Sequence, residues 1–177
     1  MLIHEAIEFA AVKHRNQVRK GTNTPYIVHP MEVMYILAGN GCDETVIAAG
    51  LLHDTVEDAG ATLKEIEEKF GKEVADIVAA ESENKSKSWQ ERKQTTIDRL
   101  PDESFEAQLV CCADKLANVR SMFYDYQKIG EKLWERFNAP KGKIAWYYHG
   151  IVDALSALEG YEMYQESKNT SAALFKK

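Results

Sequence analysis

Apolar positions recur along this chain at three- and four-residue intervals, and the strict alternation of a half-buried strand is nearly absent. Ile3, Ile7, Ala10, Ala11 and Val18 predict a first helix over about residues 2 to 18. The run from Gly21 to Tyr26 reads as a loop. Pro30 suits the first turn of a second helix, through Met31 to Leu37, that ends at Gly39-Asn40-Gly41. Asp43 can cap a third helix that carries His53 and Asp54. Thr62 to Glu65 has the pattern of a capping box, with Gly71 closing that helix, and Lys72 to Ala80 is short and amphipathic. Ser88 to Glu91 repeats the capping pattern ahead of a helix that stops before Pro101. Further helices are predicted from about Ser104 to Ile129 and from about Lys141 to Lys168. The polar stretch Glu81 to Lys87 is a connector or a flap at a site mouth, and residues 169–177 are expected to fray. The pattern predicts an all-α helical bundle, one domain over residues 1–168.

The third helix is where the pattern breaks its own rule. Gly50 to Asp58 places His53, Asp54, Glu57 and Asp58 within an otherwise apolar segment. At 100° per residue they fall at about 0°, 100°, 40° and 140°, so they line one arc. A helix apolar nearly all round belongs in a core. Imidazole and carboxylates there need compensation, and a bound cation supplies it. His29 upstream and Asp114 downstream complete a set of four ligands. Two imidazoles and two carboxylates suit Mn²⁺, Fe²⁺ or Zn²⁺ better than Mg²⁺. Glu57 and Asp58, one turn further, are placed to orient or deprotonate a water or to protonate a leaving oxygen. Each residue has a bland reading alone: His29 as a helix cap, Asp114 paired with Lys115 or Arg120, Glu57 and Asp58 as an exposed helix end. In order, on apolar helices, they point to a metal-dependent hydrolase. His4, His14 and His149 form no second cluster, which implies a mononuclear centre.

Length and charge narrow the class. The 177 residues allow one domain with a real core. A net charge of −6 disfavours a nucleic-acid coat or a membrane-surface patch. No run is long enough to span a membrane, and the N-terminus lacks a signal peptide's basic region, so a cytoplasmic protein is expected. Cys42, Cys111 and Cys112 make neither a disulfide framework nor a zinc spacing, and read as reduced thiols. The cations are concentrated near the ligands: Arg15, Arg19 and Lys20 before His29, Lys115 and Arg120 with Asn118 after Asp114, Arg92 and Lys93, and Lys141 and Lys143 before Trp146, Tyr147 and Tyr148. Such groups suit a small phosphorylated purine, with arginine able to stack on a base and lysine acting as a point charge.

Together these residues resemble the HD-domain phosphohydrolases, and more closely the small alarmone hydrolases related to the hydrolase domain of RelA/SpoT homologues and to the metazoan SpoT homologue. The resemblance rests on His14 to Gly21, Pro25 to Pro30, Leu51 to Asp58, Ala113 to Asn118, Glu81 to Lys93 and Trp134 to Tyr148. It implies that His29, His53, Asp54 and Asp114 hold Mn²⁺ and that Glu57 and Asp58 are the catalytic pair. It also implies that Arg19 and Lys20 flank a purine, and that Asn118 with Tyr147 or Tyr148, and Lys143, contact ribose or phosphate. The implied reaction removes the 3′-pyrophosphate of ppGpp or pppGpp, giving GDP or GTP. The alternatives are an HD phosphohydrolase acting on another purine nucleotide (an adenosine alarmone, NADPH or a nucleoside monophosphate) and a catalytically silent nucleotide-binding module. The oligomeric state is not legible.

Overall fold

The computed structural model describes residues 1–82 and 86–176. The expected helices form, with revised ends: α1 (Leu2–Lys13), α2 (Val28–Gly39), α3 (Glu44–Leu52), α4 (Thr55–Asp58), α5 (Leu63–Phe70), α6 (Lys72–Glu81), α7 (Trp89–Arg99), α8 (Phe105–Ile129), α9 (Lys141–Ala154) and α10 (Glu162–Leu174). Short 3₁₀ turns lie at Leu100–Asp102, Gly130–Arg136 and Ser156–Leu158. Among the described residues the sole strand-like pairing is one antiparallel bridge, Val18 to Pro25.

α3 is the hub. All seven residues from Val46 to Leu52 are buried, so beyond its first two residues α3 has no solvent face, and α1, α2, α6 and α8 pack around it. Burial of Leu51 and Leu52 alone stabilises the fold by roughly 1.5–3 kcal/mol each. Asp43 begins the helix, its Oδ1 accepting from the Val46 amide at 3.0 Å. Gly50 lets α2 come close: a Cβ there would collide with Leu37 and crowd Val33. That approach brings the start of α2 beside the end of α3. α8 runs across the bundle against α10, α2, α3 and α6, burying Leu109, Val110, Ala113, Leu116, Ala117 and Val119.

The ends differ from the sequence expectation in instructive ways. α1 stops at Lys13 rather than near Val18, because the backbone beyond pairs with itself: Arg19 N donates to Thr24 O at 2.8 Å and Tyr26 N to Gln17 O at 2.9 Å. Val18 is exposed in that narrow loop. At Thr62 the cap accepts from Glu65 N, while the Glu65 carboxylate is taken by Lys13 at 3.1 Å. The reciprocal box closes at Ser88 and Glu91. The long C-terminal helix is two helices, α9 and α10, broken where Leu155 and Leu158 turn into the core ahead of Gly160. The segment expected to fray is instead helical to Leu174, with Leu174 and Phe175 buried. Of the connector Glu81 to Lys87, residues 83–85 lie outside the described part.

Candidate active site

His29 stands in the first turn of α2, His53 and Asp54 fill the turn between α3 and α4, and Asp114 projects from α8. His29 Nε2 lies 3.0 Å from Asp114 Oδ1 and 3.6 Å from Asp54 Oδ2. His53 Nε2 lies 3.1 Å from Asp54 Oδ2 and 3.6 Å from Asp114 Oδ1. One ligand atom from each of His29, His53 and Asp114 falls within 4.8 Å of the others, and all three residues are buried. α3 does not continue through His53 as a regular helix. The Thr55 hydroxyl donates to Leu52 O at 2.7 Å, and Asp54 is left at the turn with its carboxylate facing both imidazoles.

Burial would lower the His53 pKa, but Asp54 and Asp114 outweigh it and hold the imidazole well above its usual range. His29 is held down by burial. Burial works upward on Asp114, yet Lys115 and the two histidines keep its carboxyl well below the ordinary carboxylate range. Asp54 is lowered in the same way, chiefly by His53 against burial.

The donor chemistry fits a divalent cation. His53 Nδ1 lies 2.8 Å from Gly50 O, a carbonyl that can only accept, so Nδ1 carries the proton. In its neutral form His53 would turn the lone pair of Nε2 toward carboxylate oxygens that also only accept, which is why Asp54 and Asp114 favour a second proton on the ring. That nitrogen is buried and makes no well-formed hydrogen bond. Lone pairs from imidazole and carboxylate converging on one point require a proton or a metal between them.

A cavity of about 280 Å³ opens beside the cluster, lined by Arg19, Lys20, Tyr26, Asn118 and Tyr148 among others. An adjoining cavity of about 190 Å³ shares Asn118 and Tyr148 and adds Trp89, Lys93, Lys115 and Tyr147. Arg19 Nη2 donates to Asn118 Oδ1 at 2.7 Å, and Asn118 Nδ2 donates to Asp114 Oδ1 at 2.6 Å. Arginine has no acceptor and the carboxylate no donor, so the Asn118 amide can face only this way. Both tyrosines therefore reach cavity walls, and Tyr148 reaches two. Burial pushes the Tyr148 hydroxyl pKa upward.

Glu57 and Asp58 sit on α4, directly after Asp54; Glu57 is half-buried, Asp58 is exposed, and the Asp58 carbonyl accepts from Gln17. Neither lines these cavities. Lys143 is exposed on α9 and lines neither; the lysines that line the second cavity are Lys93 and Lys115. Arg120 points elsewhere, forked onto Glu166 at 2.6 and 2.5 Å, and Lys141 pairs with Glu131.

Two site groups escaped the sequence reading. Tyr26 donates to Asp54 Oδ2 at 2.6 Å, stacks on His14 at 4.9 Å and meets His29 edge-on at 5.9 Å. Its signal was its place three residues before His29. Glu81 ends α6 near Lys115 and Asp114, and burial pushes its carboxyl up to about 7.

A paired-imidazole, paired-carboxylate cluster held inside an all-helical bundle defines the HD class of metal-dependent hydrolases. The chain belongs to this family, since residues 6–139 match the family described as HD domain. Within it, the chain is 38% identical over 170 residues to the guanosine-3′,5′-bis(diphosphate) 3′-pyrophosphohydrolase MESH1 of Xenopus tropicalis, covering 94% of this chain and 90% of that one. It is 45% identical to the human MESH1 over 121 residues, covering 67% and 68%. Solved structures share the fold, among them the following two. One is lmo0812 of Listeria monocytogenes EGD-e, with a TM-score of 0.80 and 37% identity, spanning 84% of this chain and 99% of that chain. The other is a metazoan ortholog of SpoT described as hydrolysing ppGpp, with a TM-score of 0.79 and 31% identity, spanning 97% and 94%. Among the described residues no helix is long and apolar enough to cross a membrane.

Proposed function

We propose that the protein is a metal-dependent guanosine-3′,5′-bis(diphosphate) 3′-pyrophosphohydrolase. The observation that carries this is the chain of contacts from Arg19 through Asn118 to Asp114, which joins the larger cavity to the His–Asp cluster. His29, His53, Asp54 and Asp114 would hold the ion; the mixed nitrogen and oxygen set suits Mn²⁺, Fe²⁺ or Zn²⁺, and the family resemblance favours Mn²⁺ among them. A divalent ion there supplies Lewis acidity toward a phosphoryl oxygen and toward water. The protein supplies the rest. Arg19 presents a planar guanidinium at the cavity wall, its carbon 5.5 Å from the Tyr26 ring centre, so a base can complete a stack. Lys93 and Lys115 line the adjoining cavity and suit phosphate oxygens. Tyr26 fixes the Asp54 carboxylate through its hydroxyl.

Glu57 and Asp58 are the proposed acid–base pair, one turn beyond Asp54. One would take the proton of the attacking water and the other return a proton to the leaving 3′-oxygen. The new bond joins water oxygen to phosphorus, the 3′-oxygen–phosphorus bond breaks, and the products are GDP or GTP and pyrophosphate. The reading is tested by stripping the protein with chelator and adding back Mn²⁺ with ppGpp. Turnover that returns with the ion supports it. An enzyme that ignores ppGpp but acts on another purine nucleotide would leave only the broader HD-phosphohydrolase assignment.

A further inference from the structure

The far wall of the larger cavity carries an ion pair that the hydrolytic chemistry does not use. Arg136, in the turn after α8, donates from Nη1 to Asp125 Oδ2 at 2.6 Å. Both side chains are about three-quarters buried and both line the cavity with Arg19, Tyr26 and Asn118. The pair is braced from behind. Gly21, at φ +74, lies against the Arg136 stem, and a Cβ there would sit 2.8 Å from Arg136 Cδ. The loop that presents Arg19 and Lys20 is thus packed onto the same arginine.

α8 sets the distance between this pair and the cluster. Asp114, Asn118, Ser121 and Asp125 are spaced by four, three and four residues, which places them within about 60° on one helical face. Asp125 lies about 16 Å along the axis from Asp114. One end of the face holds the cluster, Asn118 and Ser121 line the middle, and a carboxylate closes the far end. That is the length scale of a nucleoside spanned from its 3′-phosphate to its base edge, with a side chain at each end.

We infer that Asp125, held by Arg136, reads the base edge of the substrate and makes the enzyme prefer guanine over adenine. This rests on the pyrophosphohydrolase reading above. Arg136 takes one lone pair of Oδ2, so Oδ1 and the second lone pair of Oδ2 are left to a ligand, and a carboxylate can only accept. Guanine places N1–H and N2–H₂ donors side by side with the O6 acceptor. The carboxylate accepts from the donors, and the remaining N–H groups of Arg136 face O6. Adenine presents an N1 lone pair at the position of the guanine N1–H, which the carboxylate repels. A negative group also has no business at a phosphate subsite, so the far end suits a base and not the 5′-diphosphate.

The test compares kcat/KM for ppGpp and for adenosine 3′,5′-bis(diphosphate) in the wild type, Asp125→Ser and Arg136→Lys. The ratio of the two substrates is internal to each preparation, so a partly misfolded variant still reports it. The wild type should favour the guanine substrate. Asp125→Ser should lose about ten- to hundredfold on ppGpp, the range for one lost bidentate base contact, mainly through KM, with the adenine substrate little changed. Arg136→Lys should move the ratio the same way by less. Equal losses on both substrates, or a wild type indifferent to the base, would overturn the inference and leave the pyrophosphohydrolase reading standing. A metal-loaded wild type inert on both would overturn both.

Discussion

Arg19 and Asn118, 99 residues apart in sequence, are joined by a 2.7 Å hydrogen bond that reaches the His–Asp cluster through the Asn118 amide. In the proposed reading, substrate binding and the metal centre share one side chain. Arg19→Ala removes a stacking surface and leaves Asn118 Oδ1 without its donor. Stacking is largely shared by ground and transition states, so KM should rise at least about tenfold while kcat falls less. Steady-state kinetics on ppGpp decides this; an unchanged KM would place the base elsewhere.

The cluster should couple metal binding to stability. Asp54→Ala leaves His53 Nε2, already buried and without a well-formed hydrogen bond, facing a weaker anion set. Removing one partner of a buried charged cluster is worth roughly 3–5 kcal/mol, and about 2–4 °C of Tm accompanies each kcal/mol at this chain length. Metal analysis and a melting curve should show lost ion and a markedly lower Tm. Full metal occupancy in Asp54→Ala would remove Asp54 from the ligand set.

Glu57→Gln and Asp58→Asn should keep fold and metal while turnover falls about a hundred- to ten-thousandfold. Neither residue lines the cavities, so KM should change little. Near wild-type turnover in either variant would take that residue out of the mechanism.

Glu81 gives a pH dependence whose sign is fixed. Burial pushes its carboxyl up to about 7 from an ordinary value of 4.5; Lys115, His53 and Arg99 oppose the rise and Asp114 adds to it. Between those pH values the folded chain binds more protons than the unfolded chain, so stability falls as pH rises across the window. In chelator-treated protein, Glu81→Gln should therefore gain on the wild type between pH 5 and pH 8. Urea unfolding at several pH values measures it, and parallel curves for the two proteins would contradict the assignment.

Helix positions and the cluster were legible because burial and chemistry left marks at fixed spacing: apolar residues every three or four positions, and ionisable residues where the pattern demanded apolar ones. What escaped was set by contacts remote in sequence. The single helix expected through His53 to Asp58 is two, α3 and α4, with His53 and Asp54 in the turn between them. Lys143 looked equivalent to its neighbours, yet the start of α9 leaves it in solvent while Lys93 and Lys115 reach the cavity. Tyr26 has no signature beyond its place three residues before His29, and Glu81 has none; the fold sets one against Asp54 and the other near Lys115.

The most direct measurement is the identity of the phosphorus-containing product. Mn²⁺-loaded protein incubated with ppGpp and followed by ³¹P NMR should release one equivalent of intact pyrophosphate with one of GDP, and Asp54→Ala should release neither. Orthophosphate as the first product, or ppGpp left whole by the metal-loaded enzyme, would contradict the account.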